Sequence, residues 1–295
     1  KSHYGSCKKN KSYIIGKIIL DILSQTDIIF LIIVMISTAI PAGFAAGLFG
    51  IGGGLITVPI LFYIFTKAGI NPAFIMHLSV GTSFGIIIPT ALVSVLTHYQ
   101  HNAVDFKVVR GFGLSVVTGV ILGTILAANL KTKPLILYFT IVVYSLAFYL
   151  LFLKEKGDNL DIKIGFLAKT IAGIISGFVS APMGIGGAVM NVPILKYFGY
   201  PINTAIGSAA AIGFVIASCG AIGFLLTGHL LEADIPLSIG FLNVPVFLIF
   251  FPITAYMARL GAQTSHRLDK KKLTKYFGIF LIFVGSRFLF EYIRL

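Results

Sequence analysis

Residues 49–61 read FGIGGGLITVPIL, with glycine at four of the five positions 50–54 and Pro59 five residues further on. The stretch lies inside a run apolar enough to sit in a membrane, and residues 183–195, MGIGGAVMNVPIL, repeat it with eight of thirteen positions identical. In hydrocarbon an unpaired backbone N–H or C=O is costly, so irregular backbone survives only where it is buried in protein or lines a polar cavity. Glycine supplies the positive φ that such a break requires and lets a ligand approach the main chain. A short helix is expected to start after each break, near Leu55 and near Ala188, with first-turn N–H groups that lack intrahelical partners. Together with the positive end of the helix dipole, those donors form an anion site without a cationic side chain.

Composition sets the environment. With 57% hydrophobic and 11% charged residues and a mean hydropathy of +0.97, the 295-residue chain is an all-α polytopic membrane protein. Long apolar segments fall at 28–48, 74–97, 106–128, 134–153, 164–180, 204–227, 236–258 and 275–292, eight transmembrane helices, with two shorter ones at 51–66 and 185–198 after the glycines. Residues 1–27 form a polar tail that ends in an amphipathic stretch (10–27) expected to lie on the membrane surface. The net charge of +13 sits mainly in tails and short loops, which fits membrane orientation and not nucleic acid.

The repeat extends beyond the glycines. Gly43-Phe44 recurs as Gly177-Phe178, VGTS at 80–83 aligns with IGSA at 206–209, and Val104-Asp105-Phe106 aligns with Ala233-Asp234-Ile235. Two homologous halves result, 28–153 and 164–295, joined by the charged linker 154–163. If all ten segments cross, one side carries twelve Lys/Arg in its loops and the other nine; if the short segments turn back, the split is eleven against ten. The positive-inside rule therefore favours ten crossings, the 259–275 loop in the cytoplasm and both termini outside. Five crossings per half make the repeat inverted, and two helix starts then converge on the midplane as in secondary transporters.

The candidate substrate site comprises Gly50, Gly52, Gly53, Gly54, Gly184, Gly186 and Gly187, with Thr57, Thr82, Ser83, Asn191 and Ser208 as hydrogen-bond donors. For each hydroxyl or amide, bonding within its own helix is an equal alternative. The small-xxx-small pairs Gly43/Gly47, Gly81/Gly85, Gly119/Gly123 and Gly173/Gly177 read as helix-packing surfaces. Pro59 and Pro193 either kink their helices or shape a cavity. His77, His98 and Lys169 are candidates for a proton or charge role, against interfacial or snorkelling alternatives, and Arg287 reads as snorkelling. All ten Asp and Glu residues fall in tails, loops or segment ends, which suits an anion. Cys7 and Cys219 suggest no disulfide framework, no residue cluster has metal-ligand spacing, and no cofactor motif or G-x-x-x-x-G-K-[ST] loop is present. Ser, Thr and His show no nucleophile–base pairing, so an enzyme is not expected.

The two openings AGFAAGLFGIGGGLITVPIL (42–61) and SGFVSAPMGIGGAVMNVPIL (176–195), each followed by a Gly-Thr-Ser or Gly-Ser element, resemble the TauE/SafE sulfite exporter family. The resemblance covers nearly the whole chain after residue 27. It implies transport of sulfite, sulfonates or related organosulfur anions across the inner membrane of bacteria, often as export of sulfite. The alternative is import of a sulfonate, thiosulfate-like or carboxylate anion on the same fold. The family's glycine motif maps onto Gly50, Gly52, Gly53 and Gly54 and onto Gly184, Gly186 and Gly187. The second copy departs from it, with Ala188 where the first has Gly54, which puts the weight on the first half-site.

Overall fold

The structure, a computed structural model, describes residues 25–50, 52–152, 165–265 and 270–294. Residues 10–24 of the expected surface helix and the linker 154–163 lie outside them. Among the described residues the helices are α1 (Gln25–Phe49), α2 (Gly54–Lys67), α3 (Ile75–Gln100), α4 (Phe106–Asn129), α5 (Thr132–Phe152), α6 (Phe166–Ser180), α7 (Ala188–Tyr197), α8 (Ile202–Leu230), α9 (Val244–Ser265) and α10 (Lys270–Arg294). Six of them, α1, α3, α4, α5, α8 and α9, are long and apolar enough to cross a bilayer. The 14 residues of α2 and 10 of α7 make helices of about 21 and 15 Å, short of the roughly 30 Å hydrocarbon core.

On α1 the large side chains Ile29, Ile33, Ile36 and Ile40 face outward while Ala39, Ala42 and Ala46 are buried. Lipid is as apolar as leucine, so bulk is free to face it, and small residues go inside where backbones approach. The glycine pairs mark those approaches. Gly43 and Gly47 of α1 press against the backbone at Thr254 and Ala258 of α9, and Gly261 returns the contact at Phe44. Gly119 and Gly123 of α4 meet Ile174 and Phe178 of α6, and Gly177 meets Val116.

These contacts obey an exchange rule. With α1 to α5 taken as counterparts of α6 to α10, α1 packs on α9 as α6 packs on α4, and α3 packs on α9 as α8 packs on α4. Direction follows the same rule. The contacts Gly43–Thr254 and Gly47–Ala258 run α1 parallel to α9, and Gly119–Ile174 and Gly123–Phe178 run α4 parallel to α6. Counterparts oppose each other: Phe84 meets Gly220 while His98 meets Gly207, so α3 is antiparallel to α8. Likewise Tyr144 bonds Ser286 at 2.9 Å and Leu151 meets Gly278, so α5 is antiparallel to α10.

Two features differ from the sequence reading: the segment expected at 164–180 as a long span is the 15-residue α6, about 22 Å of helix, and one boundary moves. The segment expected at 236–258 starts as a helix only at Val244, because Ser238–Ile239 and Leu242–Asn243 form a two-stranded hairpin (β1 and β2) turning at Gly240, φ 55°. The helix start that matches Asp105 is therefore Asn243, not Asp234. Asp105 Oδ1 accepts from the N–H groups of Lys107 (2.8 Å) and Val108 (3.4 Å), and Asn243 Oδ1 accepts from that of Val246 (3.2 Å).

Candidate anion site at the two glycine breaks

The two breaks share their first and last glycine conformations and differ at the middle one, where Gly52 is left-handed (φ 69°) and Gly186 is not. Gly53 and Gly187 are left-handed N-caps, φ 81° and 65°, of α2 and α7. The Gly53 carbonyl accepts from Ile56 and Thr57 (2.9 Å each), and the Gly187 carbonyl accepts from Met190 (3.0 Å) and Asn191 (2.9 Å). Gly50 and Gly184 are left-handed as well, φ 68° and 64°. A left-handed residue other than glycine costs about 1–2 kcal/mol, which accounts for glycine at the first and last positions of the shared motif.

The breaks meet one another. Gly54 is so close to Gly184 that a side chain there would collide with the Gly184 carbonyl oxygen, and a methyl on Gly52 would stand 3.5 Å from Gly186 Cα. Ser83 Oγ donates to the Gly184 carbonyl at 2.9 Å, and Val80 and Val58 pack on Gly184. These α3 contacts lie at helix-interior positions, within the depth of a spanning segment. Every described residue of the two breaks is buried, so in this conformation the glycines close on each other instead of lining open water.

The side chains around the two helix starts differ. At the first, Thr57 Oγ1 donates to the Gly53 carbonyl at 3.0 Å and is satisfied within its own helix. At the second, Asn191 Oδ1 accepts from Ser176 Oγ at 2.6 Å, which leaves Asn191 Nδ2 without an acceptor, and Ser180 Oγ has no partner either. All three residues are fully buried, at 0% exposure. Asn191 Nδ2 and Ser180 Oγ converge on one point, 3.3 and 3.1 Å from where a Gly187 methyl would be, and Ile216 of α8 covers it.

A family profile described as sulfite exporter TauE/SafE matches residues 33–288. The chain belongs to the TauE/SafE family. It is 30% identical over 244 residues to a probable membrane transporter protein of Haemophilus influenzae, covering 83% of this chain and 92% of the relative. A probable membrane transporter protein of Methanocaldococcus jannaschii is 27% identical over 254 residues (84% and 92%), and YunE of Bacillus subtilis, with the same description, 23% over 279 residues (88% and 97%). No solved structure matches the chain. The protein is a multi-pass membrane transporter.

Within that family frame, the sequence candidates separate into groups. Gly52, Gly54, Gly184, Gly186 and Ser83 come together at the junction of the breaks, while Gly50 packs on Ile206 of α8, Gly53 on Ala42 and Ala46 of α1, and Gly187 beside Asn191 and Ser180. Thr82 and Ser208 hold the halves together instead: Asn243 N–H donates to Thr82 Oγ1 at 3.0 Å, and Asp105 N–H donates to Ser208 Oγ at 2.9 Å, each bond crossing from one half to the other. Losing Thr82 as Thr82→Val orphans a buried N–H, a cost of about 1–3 kcal/mol. Ser208→Ala is expected to lower the melting temperature less, since Asp105 is half-exposed and water replaces the lost acceptor. Thermal unfolding of both variants in detergent checks the order, and an equal or larger drop for Ser208→Ala would contradict it.

The titratable candidates stand apart from the junction. His77 Nε2 pairs with the Ala127 carbonyl at 3.0 Å and its ring lies tilted against Phe241, centroids 5.2 Å apart. His98, at the other end of α3, lies 3.2 Å from the Gly47 carbonyl. Lys169 sits in the first turn of α6, about 16 Å of helix from Ser180, at the position from which a lysine reaches the interface. Pro59 faces a lateral cavity between α2 and α10.

Ser176, Ser180 and Ile216 were not among the sequence candidates. The signal was present in the repeat: at the spacing that superposes the glycines, Ser176 and Ser180 stand against Ala42 and Ala46, and Asn191 against Thr57. Two polar gains and the exchange of a hydroxyl for an amide mark that copy as different.

Proposed function

We propose that this protein is a secondary transporter exporting sulfite or a related small organosulfur anion, held where Asn191 and Ser180 converge at the start of α7. The single observation that carries the reading is the pair of fully buried, unpartnered groups at a helix N-terminus. In a protein interior an unpaired polar group costs about 1–3 kcal/mol, and an oxyanion that accepts from Asn191 Nδ2 and Ser180 Oγ recovers it. Ser176 fixes the amide so that its NH₂ faces the site. Among the described residues no carboxylate opposes an anion there: Asp27 is in the first turn of α1, Asp105, Glu232 and Asp234 are in loops, and Glu291 is in the last turn of α10.

The reading reverses the emphasis of the sequence motif. The first break, with more glycine, acts as a packing partner, and the second carries the donors. Opposed counterpart helices support an inverted repeat, with binding at the interface of the halves and alternating access by rocking about it. Ile216 occludes the site in this conformation, and its displacement admits the anion.

The test is sulfite flux into and out of proteoliposomes under an imposed membrane potential, with Asn191→Leu and Ser180→Ala compared with wild type. A hydrogen bond to a charged ligand is worth about 1.5–3 kcal/mol, so each variant is expected to lose roughly ten- to hundredfold in apparent affinity. Unaltered flux in both removes these donors from the substrate path. Absence of sulfite flux in wild type, with flux of a sulfonate, thiosulfate or carboxylate, selects the larger anion.

A further inference from the structure

We propose that the cavity between the C-terminal parts of α2 and α10 binds one anionic phospholipid. The cavity, about 400 Å³, lies away from the donor site and has two chemically distinct parts. Its floor is Pro59, Phe62 and Phe288, with the two rings 5.4 Å apart. Its rim carries Lys67, Arg287 and Arg294. Glu291 is the one carboxylate among the lining residues, and Arg287 engages it at 2.7 Å, so the lining keeps a net charge of two positive, from three cations and one acid.

Bland roles do not absorb this set. A cation at each helix C-terminus offsets the dipole, which accounts for Lys67 and Arg294 taken singly. Arg287 is two turns inside α10, where the dipole gives no reason for it, and its i,i+4 pair with Glu291 still leaves the side chain 50% exposed. A small hydrated oxyanion gains nothing from a phenylalanine floor. A zwitterionic headgroup brings its own ammonium to a rim that is already cationic. A phosphate on an acyl chain satisfies both parts at once: chain on Phe62 and Phe288, phosphate among Lys67, Arg287 and Arg294. Tyr63 beside the rim and Tyr292, with Lys133 Nζ 5.2 Å from its ring, are residues typical of the headgroup level.

The full-length protein in neutral detergent is titrated with phosphatidylglycerol, with phosphatidylcholine of the same chains, and with inorganic phosphate, following thermal unfolding and retained lipid by native mass spectrometry. Phosphatidylglycerol is expected to raise the melting temperature and to be retained at one per chain, and the other two probes are not. Each cation near an anionic headgroup is worth about fivefold in affinity, so Lys67→Gln/Arg294→Gln, at two exposed positions, weakens binding by roughly twenty-five-fold while Arg110→Gln, elsewhere on the surface, does not. Equal response to phosphatidylcholine, no response to phosphatidylglycerol, competition by inorganic phosphate at similar concentration, or an unaffected double variant would each overturn the assignment. Sulfite flux is a separate readout, so this outcome and that of the transport test are independent.

Discussion

Gly54→Ala is expected to destabilise the protein although alanine is the better helix former. Gly54 is the first residue of α2 with ordinary helical geometry, where alanine is favoured over glycine by at most about 1 kcal/mol, the value for a helix interior. What forbids it is the neighbour: the new methyl would collide with the Gly184 carbonyl oxygen and stand 2.8 Å from Ile185 Cα. Both are backbone, and Ser83 holds the Gly184 carbonyl through its hydrogen bond, so relief requires moving the two breaks apart. Overpacking costs typically about 1–3 kcal/mol and more where nothing yields, which exceeds the propensity gain. Gly54→Val is expected to prevent accumulation of folded protein altogether. Gly111 of α4 supplies the control: it is helical, exposed and has nothing within 4 Å, so Gly111→Ala follows propensity and raises the melting temperature. Melting curves that rise for both alanine variants would mean that the breaks do not touch.

The second large effect separates stability from transport. Gly53→Ala and Gly187→Ala place the same methyl on equivalent left-handed caps, each at about 1–2 kcal/mol of backbone strain. At Gly53 the methyl meets the Ala42 carbonyl oxygen at 3.1 Å and Ala46 Cβ at 3.3 Å, which adds a tight contact but touches no free donor. At Gly187 it collides with the Ile216 side chain and occupies the point on which Ser180 Oγ and Asn191 Nδ2 converge. Both variants are expected to melt lower. Only Gly187→Ala is expected to lose sulfite flux per folded molecule, by at least about tenfold, the value of one hydrogen bond to an anion. Combining it with Ile216→Val removes the clash but not the backbone strain, so stability rises toward that of Gly53→Ala while flux does not recover. Flux that recovers with stability would assign Gly187 to packing alone.

Much of this architecture was legible before any coordinates. Hydrocarbon demands runs of about 20 apolar residues, so helix positions emerge from hydropathy, and α2 and α7 begin where the last glycines of each motif predict. The hairpin at 238–243 escaped because Leu237, Ile239, Phe241 and Leu242 read as part of an apolar span, and hydropathy is blind to a turn made by one glycine. Lys169 looked intramembrane because its apolar run begins before the helix does. The bonds of Thr82 and Ser208 were illegible for another reason: their partners lie 161 and 103 residues away. The donor cluster sits between these cases, since Ser176 and Ser180 are unremarked in an apolar helix and emerge only when the two copies are compared position by position.

The exchange of helices between halves also bears on synthesis. Gly47 is made early, and the Ala258 backbone that buries it emerges more than 200 residues later. At about 5–20 residues per second that interval is roughly ten to forty seconds. Throughout it the nascent α1 holds a stripe of bare backbone in the bilayer that any other small-residue helix can occupy. Assembly of this transporter is thus most exposed to mispairing at its first helix, and insertion factors that shield that stripe until α9 arrives would set its yield in the cell.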